Sequence, residues 1–356
     1  MKVILLDGAV LNAGDFLIVE RTKKILEHLI PNVKVEKLFR NVNLDDKLDL
    51  LNSADFIVYG GGPVYTPNEY PEGTPFVSNL SDVKTRCIIL GGGIMDSFRH
   101  KNRFFKSNYF TNETVDFLHK FNMDDIPLCT RGWYEYSLLK NNGFSNVLMT
   151  GCPAWYDLNH INTTKLKKTS LSGEVNICVS EPAFVENFVY FTALLQFLRK
   201  QFPQAVIKVV NHREIKNEMK IIMENRFLEN LGIEFVDISN SFEGLSVYDN
   251  CDLHIGFRVH AHIYNLSMRN ISILLNEDLR GESINNALRL TQFSLKTGSR
   301  LDVLNIERRC GLNKLMTDIK NYIDRQNETG FFEYEIAYNI MKQTFENMKK
   351  AVSFIN

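Results

Sequence analysis

The chain has 356 residues, of which 44% are hydrophobic and 23% are charged, the composition of an ordinary globular protein. This length exceeds what one hydrophobic core usually supports and predicts two domains of about 150 residues each. The 41 basic and 42 acidic side chains leave a formal net charge of -1, so we expect no nucleic-acid partner and no electrostatic attraction to a membrane surface.

The sequence pattern predicts a cytoplasmic protein. The sequence contains no run of about 18 apolar residues, so we predict no transmembrane segment. The apolar stretch before Asp7 is too short for a signal peptide. The six cysteines form no Cys-x-x-Cys pair and are typical of a reducing compartment. A lipid-linked substrate would bring such a protein to the inner face of the membrane.

Short apolar runs alternate with helical patterns over residues 1–158. The apolar runs predict six strands, at 2–6, 34–39, 55–59, 86–90, 126–129 and 146–149. Helices are predicted between them, at 15–29, 112–121 and 132–142. Because continuously apolar strands joined by helices are typical of parallel sheets covered on both faces, we predict a doubly wound α/β domain.

The polar stretch at 159–173 predicts a linker, after which the same alternation restarts over 174–300. Strands are predicted at 174–180, 205–210, 233–237, 252–256 and 271–275, and helices at 185–201, 212–231, 243–249, 259–268 and 281–292. We therefore predict a second doubly wound domain. Residues 301–356 predict two or three helices that pack on the domains through the core stripe Met341, Phe345 and Met348.

Loops that follow parallel strands are where such sheets bind ligands, so their polar residues are the candidate site residues. After the first strand come Gly14, which permits close backbone approach, and Asp15, which either caps the helix or takes part in catalysis. Two further strands end in triple glycines, whose N–H groups either face an anionic ligand or form tight turns. These are Gly60-Gly61-Gly62 and Gly91-Gly92-Gly93.

Arginines and a histidine stand at three later strand ends. Arg131 opens a predicted helix, where it either binds a carboxylate or phosphate or forms a surface salt bridge. Arg258 and His260 lie in the first turn of the helix after the strand ending at Gly256. Unpaired N–H groups, a guanidinium and an imidazole at such a turn favour anion binding and proton transfer. Arg280 follows the next strand and is expected to reach the same cleft.

The histidines of this segment do not predict a metal site. His260 and His262 are two residues apart, which is poor spacing for two ligands on one helix, and no His-Glu-x-x-His motif occurs. One of His254 and His262 is expected to be a hydrogen-bonded core residue. We therefore predict a site without a metal ion or a cofactor.

Taken in chain order, these motifs resemble the polysaccharide pyruvyl transferase family. That family has an early Gly-Asp, Gly-Gly-Gly turns, an arginine opening a helix, an Arg-Leu-His turn and a basic loop one strand later. The matching residues are Gly14-Asp15, Gly60-Gly61-Gly62, Gly91-Gly92-Gly93, Arg131, Arg258-Val259-His260 and Arg280-Gly281, which span most of residues 1–290. The chain departs from the family at Gly132, where an acidic residue is usual, and at Cys152, where aspartate is frequent.

The resemblance implies two facing Rossmann-like domains, as in glycosyltransferases of the B type. It also implies transfer of a pyruvyl group from phosphoenolpyruvate to a sugar of a cell-surface polysaccharide or its lipid-linked precursor, as a cyclic ketal. His260 would donate the proton, and the arginines at 131, 258 and 280 would bind the donor. Asp15 would contact the acceptor hydroxyl, so that the first domain holds the acceptor and the second the donor.

Two alternatives remain open from the sequence. The first is a glycosyltransferase that uses a nucleotide-sugar donor, for which Glu277 and Glu282 are the acidic candidates near the ribose. The second is a non-catalytic glycan-binding relative, which the departures at Gly132 and Cys152 favour. The acceptor sugar, its linkage and the oligomeric state do not follow from the sequence.

Overall fold

A computed structural model describes residues 1–96, 106–239, 241–295 and 306–355, with the side chains of 306–310 left out. The predicted boundary at 300 and the first residues of the predicted C-terminal segment lie outside the described residues. Within them the chain forms two six-stranded sheets, and every strand pairing is parallel.

The first sheet has the strand order β2-β1-β3-β4-β5-β6. Its strands are β1 (Lys2–Asp7), β2 (Lys34–Phe39), β3 (Phe56–Pro63), β4 (Arg86–Gly93), β5 (Leu128–Thr130) and β6 (Val147–Met149). Its helices are α1 (Ala13–Leu29), α2 (Leu48–Asn52), α3 (Asn112–Lys120) and α4 (Trp133–Asn141). The segment 159–173 that follows contains neither helix nor strand.

Strand β1 shows why the apolar runs of this sheet are continuous. Ile4 and Leu6 pack into one hydrophobic core, and Val3 and Leu5 pack into another on the opposite face. All four side chains are buried. Both faces of the strand are therefore covered, as the continuous apolar pattern predicts.

The second sheet has the order β12-β11-β10-β7-β8-β9. Its strands are β7 (Asn176–Ser180), β8 (Val206–Asn211), β9 (Ile233–Asp237), β10 (Leu253–Gly256), β11 (Ile271–Asn276) and β12 (Phe293–Ser294). Its helices are α5 (Phe188–Gln201), α6 (Asn217–Glu224), α7 (Phe227–Asn230), α8 (Val259–Ser267) and α9 (Leu279–Leu288).

Several predicted elements of this half are wrong in detail. The helix predicted at 212–231 is divided into α6 and α7, because Arg226 adopts a left-handed conformation with φ of 54°. The helix predicted at 243–249 is a 3-10 segment, Glu243–Tyr248. Strand β12 was not predicted, since it has only two residues.

The strand orders fix where ligands are expected. In the first sheet the chain changes direction between β1 and β3, and in the second it does so between β7 and β10. Crevices at the carboxyl ends of strands at such switch points are the usual ligand sites of doubly wound sheets. The loops after β1, β3, β7 and β10 therefore carry the candidate site.

Two C-terminal helices follow, α10 (Ile306–Glu328) and α11 (Phe332–Val352). Helix α11 contacts both halves: Asn347 donates a hydrogen bond to the carbonyl of Met149 at 2.9 Å, and Tyr338 donates one to the carbonyl of Asn270 at 3.0 Å. The predicted core stripe of Met341, Phe345 and Met348 is buried. None of the described helices is long and apolar enough to cross a membrane.

Candidate functional site

The first turns of α1 and α8 meet where the two halves of the chain touch. A β-carbon added to Gly14 would lie 2.0 Å from Nδ1 of His260, so only glycine allows this approach. Next to it, the amide of Ala13 donates a hydrogen bond to the carbonyl of His212 at 3.1 Å. The structure therefore brings together Gly14 and His260, which the sequence placed in different domains.

His260 presents a hydrogen-bonding group without a partner. Its Nε2 atom is buried and makes no hydrogen bond to any residue that the structure describes. Burial, together with the positive charges of Arg280, Arg131 and Arg258, lowers the pKa of His260 to about 3. Without a bound anion the imidazole is therefore neutral at physiological pH.

Each of the three predicted arginines already has a carboxylate partner. Nε of Arg258 contacts Oε1 of Glu181 at 2.7 Å. Nη2 of Arg280 contacts Oδ2 of Asp278 at 2.6 Å, and Nε of Arg131 contacts Oε1 of Glu135 at 3.3 Å. These pairs reduce the net positive charge that the sequence predicted for the site.

Arg131 is the most enclosed of the three, with only 2% of its surface exposed. Its Nη2 donates to the carbonyl of Ile94 at 2.5 Å, and a β-carbon on Gly93 would lie 2.2 Å from its Cζ. Its partner Glu135 also accepts a hydrogen bond from the hydroxyl of Ser283 at 2.7 Å, in the other half. The guanidinium of Arg131 is thus bound by groups of the protein itself, and its charge lowers the pKa of His260.

The turn between β10 and α8 is held by one serine hydroxyl. Oγ of Ser180 accepts hydrogen bonds from the amides of Phe257 at 3.1 Å and Arg258 at 3.0 Å. These two amides are therefore not available to an anion, contrary to the expectation that N–H groups at this turn are unpaired. The amides of the first helical turn after Arg258 lack intrahelical acceptors and remain available.

Both His254 and His262 are core residues, whereas only one was expected to be. Oγ of Ser272 lies 2.7 Å from Nδ1 of each ring. The remaining nitrogens contact Ser180 Oγ at 3.0 Å and Asn285 Oδ1 at 2.9 Å. Because the amide oxygen of Asn285 only accepts, Nε2 of His262 carries the proton and its Nδ1 accepts from the hydroxyl of Ser272. Ser272 Oγ in turn accepts from Nδ1 of His254, and Nε2 of His254 accepts from the hydroxyl of Ser180.

Asp15 occupies the third position of α1, and Asn12 rather than Asp15 caps the helix. The Nδ2 atom of Asn12 contacts Oδ2 of Asp15 at 3.2 Å. Burial raises the pKa of Asp15, while the Asn12 hydrogen bond and the charges of Arg40, Arg280 and Arg213 oppose that rise. Asp15 is therefore a partly desolvated carboxylate between guanidinium groups of both halves.

The triple glycines make room for the side chains of neighbouring residues and do not form open turns that face a ligand. A β-carbon on Gly62 would lie 3.1 Å from Nη2 of Arg40, and Gly93 makes room for Arg131 in the same way. Gly92 packs against core side chains. Gly61 adopts φ of 68°, which favours glycine, and its carbonyl accepts a hydrogen bond from Arg40.

A cavity of about 30 Å³ lies at this junction. It is lined by Asn12, Ala183, His212, Phe257, Arg258, Val259, His260 and Arg280. A cavity of this size has room for ordered water. A larger concavity of about 780 Å³, which Lys167 and Lys208 help to line, lies at the amino ends of the second sheet's strands, away from the switch point.

Sequence reasoning missed His212. Its Nε2 lies 2.6 Å from the hydroxyl of Tyr248, and its buried Nδ1 has no partner among the described residues. It follows β8 directly, so a search of every strand end for polar residues would have found it. Burial, reinforced by the charge of Arg258, holds the pKa of His212 well below its usual value.

The acidic residues considered for a nucleotide ribose are engaged elsewhere. Glu277 accepts hydrogen bonds from the amide of Ala183 at 2.7 Å and from Asn187 at 2.7 Å. Burial raises the pKa of Glu277 to about 7. Glu282 accepts a hydrogen bond from Tyr134 at 2.9 Å. Over the described ranges, no group of three or more His, Cys, Asp or Glu residues is arranged to hold a metal ion.

Comparison with known proteins connects this geometry to a family. A family model for polysaccharide pyruvyl transferase matches residues 12–269, which include both helix starts of the site. Among curated proteins, none matches the sequence.

Solved structures resemble the chain over nearly its whole length. MnaA of S. aureus in complex with UDP aligns with a TM-score of 0.58 and 12% identity over 98% of this chain and 94% of that chain. The UDP-GlcNAc 2-epimerase of Neisseria meningitidis bound to UDP-GlcNAc aligns with a TM-score of 0.53 and 11% identity over 98% of this chain and 100% of that chain. Apo OtsA aligns with a TM-score of 0.55 and 9% identity over 100% of this chain and 99% of that chain. These similarities establish two Rossmann-like domains in the glycosyltransferase-B arrangement.

Proposed function

The chain belongs to the polysaccharide pyruvyl transferase family, and from this premise we propose that it transfers a pyruvyl group from phosphoenolpyruvate to two hydroxyls of one sugar. The observation that carries the proposal is the position of His260. Its imidazole lies against Gly14 at the contact between the halves, and Arg258 and Arg280 line the same cavity. Asp15, in the next position of α1, comes from the acceptor half.

The reaction forms two C–O bonds at C2 of the donor and breaks the bond from C2 to the phosphate oxygen. C3 gains a proton and becomes a methyl group, while phosphate leaves as hydrogen phosphate. The two hydroxyl protons of the sugar supply the proton on C3 and the proton on the released phosphate, so no oxidant or reductant is needed. The protein has to deliver a proton to C3, accept one from a hydroxyl, and stabilise the anionic groups.

His260 is the proposed proton donor to C3. Its pKa of about 3 in the anion-free site makes it neutral, because it is buried among guanidinium groups. The phosphate and carboxylate of the donor would replace that positive field with a negative one and raise the pKa of His260. The proton donor would thus form when the donor binds. His212 would give a second nitrogen for hydrogen bonding to the donor, since its Nδ1 is unpartnered among the described residues.

Asp15 is the proposed acceptor of the hydroxyl proton. Burial raises its pKa, which makes the carboxylate a stronger base than an exposed aspartate. The hydrogen bond from Asn12 fixes its orientation. The proposed acceptor is a sugar of a cell-surface polysaccharide or of its lipid-linked precursor, modified in the cytoplasm at the inner face of the membrane.

The cavity of about 30 Å³ is too small for phosphoenolpyruvate. We infer that the halves move apart at the contact of Gly14 with His260 when the donor binds. Closure over both substrates would then exclude water from the reaction, a common role for domain movement in transferases.

The test is an incubation of the protein with phosphoenolpyruvate and candidate glycans, with phosphate release and acceptor mass as readouts. We expect phosphate release that depends on acceptor and a product carrying one pyruvyl ketal. His260→Gln and Arg258→Ala should abolish both. The matched controls are His160→Gln, a partly buried histidine paired with Asp157, and Arg226→Ala, an exposed arginine paired with Glu229. Turnover that persists in both site variants would contradict the assignment.

The fold match to UDP-bound proteins gives a second candidate, transfer of a sugar from a nucleotide donor. Thermal unfolding separates the two. Stabilisation by phosphoenolpyruvate but not by UDP supports pyruvyl transfer, and the reverse supports glycosyl transfer. No turnover with either donor would favour the non-catalytic relative.

A further inference from the structure

We propose that Arg40 binds a phosphate group of the acceptor, the phosphate that joins the sugar to its carrier, in a subsite separate from that of the donor. This inference rests on the proposed function for the identity of the ligand. Its structural basis is that Arg40 is a half-buried guanidinium of the candidate site with no carboxylate partner among the described residues.

The backbone places Arg40 at the carboxyl edge of the first sheet. It directly follows β2, and its amide donates to the carbonyl of Asp7, at the end of β1, at 2.9 Å. Its Nη1 atom donates to the carbonyl of Gly61 at 3.1 Å, and its Cζ lies 4.4 Å from the centroid of the Tyr59 ring. Stacking and one hydrogen bond therefore fix the plane of the guanidinium.

Two glycines make room for this guanidinium. A β-carbon on Gly8 would lie 2.5 Å from Nε of Arg40, and one on Gly62 would lie 3.1 Å from Nη2. Both glycines belong to the switch point between β1 and β3. The glycines that the sequence suggested for direct ligand contact thus surround an arginine at the position where a ligand is expected.

The contrast with the other arginines identifies Arg40 as an anion receptor. Arg131, Arg258 and Arg280 each pair with a carboxylate, whereas Arg40 forms no ion pair in the parts of the chain that are described. A half-buried guanidinium with a single hydrogen bond to the described residues has donors left for an anion, and charge-assisted hydrogen bonds to a phosphate would use them. A guanidinium whose plane is already fixed suits two parallel hydrogen bonds to phosphate oxygens.

The nearby carboxylates do not take the place of that phosphate. Glu69 accepts hydrogen bonds from Thr74 at 2.7 Å and from Thr66 at 2.8 Å, and Asp15 is held by Asn12. Arg40 influences the pKa of both carboxyls without a direct contact to either. Both carboxylates are thus held by other partners, and neither neutralises the guanidinium of Arg40 by direct contact.

Arg40 belongs to the acceptor side. The charges that lower the pKa of His260 are those of Arg280, Arg131 and Arg258, whereas Arg40 opposes the rise in the pKa of Asp15. A phosphate on Arg40 would therefore lie on the side of the proposed acceptor base. This is the arrangement expected when sugar hydroxyls point toward Asp15 and the carrier phosphate extends toward Arg40.

The test is a calorimetric titration of pyrophosphate into the full chain, with phosphoenolpyruvate saturating the donor site, and again without it. We expect Arg40→Gln to raise the dissociation constant of pyrophosphate at least about tenfold, the effect of losing a charged hydrogen bond. Arg40→Lys, which keeps the charge but loses the planar fork, should give an intermediate value. Arg86→Gln is the matched control, since Arg86 also lies over an aromatic ring, that of Phe56, but at the amino ends of the strands of the same sheet.

Three results would overturn the inference: no pyrophosphate binding by the wild type, an unchanged constant in Arg40→Gln with an unchanged melting temperature, or an Arg40→Gln effect on phosphoenolpyruvate instead. Failure of phosphoenolpyruvate to bind the wild type contradicts the proposed function alone, because the titration without donor still reports on Arg40. Geranyl diphosphate and UDP, titrated in parallel, show whether the carrier is a lipid or a nucleotide.

Discussion

Gly14 and His260 are in contact across the two halves of the chain, so close that a β-carbon on the glycine would lie 2.0 Å from the imidazole Nδ1. Each residue lies in the first turn of its helix, α1 or α8. Two helix starts therefore point toward one junction, and each brings the positive end of a helix dipole. The amides of Ala13 and Gly14 already donate to His212 and Asn12, so the unpaired amides at the junction are those of α8. An anionic donor at this junction would be stabilised from both halves.

Replacing Gly14 with alanine tests this contact. We expect Gly14→Ala to displace His260 or to hold the halves apart, and to lower donor-dependent turnover at least about a hundredfold, as misplacement of a catalytic group by about 1 Å can do. The control is Gly311→Ala in α10, where a β-carbon meets open space. That variant should keep full activity and gain about 0.5–1 kcal/mol of stability. Normal turnover in Gly14→Ala would show that the contact is not part of the reaction.

Donor binding should be accompanied by proton uptake. The pKa of His260 is about 3 in the anion-free site, and the negative charge of phosphoenolpyruvate is expected to raise it. At about pH 8 the donor phosphate is already doubly ionised, so its own titration contributes little. Calorimetry in buffers of different ionisation enthalpy should detect uptake in the wild type and none in His260→Gln. Equal heats in all buffers for the wild type would contradict the proposed role.

The buried histidine His262 should make the protein acid-sensitive. Burial lowers its pKa to about 4 from a reference value of 6.5, so between these pH values the unfolded chain binds a proton that the folded chain does not. Stability therefore falls as pH falls through this window, by about 1.4 kcal/mol per pH unit and about 3 kcal/mol in all.

Urea unfolding of the wild type and of His262→Gln between pH 7 and pH 4 measures this contribution. The variant should lose less stability on acidification, because it lacks the titrating group, although it is less stable at pH 7. His28→Gln, at an exposed position, is the control and should follow the wild type. Parallel curves for the wild type and His262→Gln would show that the imidazole titrates normally in the folded chain.

Much of the fold follows from local sequence. The apolar run of β10 ends at Gly256 and a helical pattern begins after Arg258, so the turn and the two candidate side chains on it were predictable. Two of the arginine partners were also within reach of the sequence, since Glu135 is four residues after Arg131 and Asp278 is two residues before Arg280. Pairs at such short spacing follow from helix and cap geometry.

The rest depends on contacts between distant segments. Arg40 follows the largely exposed strand β2, and no local pattern distinguishes it from other surface arginines. The surroundings on which its proposed role rests, Gly8, Tyr59 and Gly62, come together only in the folded chain. The break between α6 and α7 lies at Arg226 in a left-handed conformation, and no glycine or proline marks it in the sequence.

Ser180 should control donor binding although it does not contact the cavity. Its hydroxyl accepts the amides of Phe257 and Arg258 and contacts Nε2 of His254. Ser180→Ala would leave the buried amide of Arg258 without an acceptor, at a cost of about 1–3 kcal/mol, unless the turn that carries Arg258 moves. The amide of Phe257 would keep a second acceptor, the carbonyl of Ser180 at 3.3 Å. We therefore expect weaker phosphoenolpyruvate binding together with a lower melting temperature.

Ser267→Ala separates this positioning effect from simple destabilisation. Ser267 is as buried as Ser180 and lies at the carboxyl end of α8, the helix that begins after Arg258. Its hydroxyl donates to the carbonyl of Tyr264 at 2.7 Å. Calorimetric titration of phosphoenolpyruvate should give about a tenfold higher dissociation constant for Ser180→Ala and a value near that of the wild type for Ser267→Ala. If both variants bind the donor equally well at temperatures where they are folded, Ser180 stabilises the sheet without positioning Arg258. A selective loss in Ser180→Ala would instead show that the hydroxyl sets the geometry of the turn, because the two variants remove the same atom from the same depth of the core.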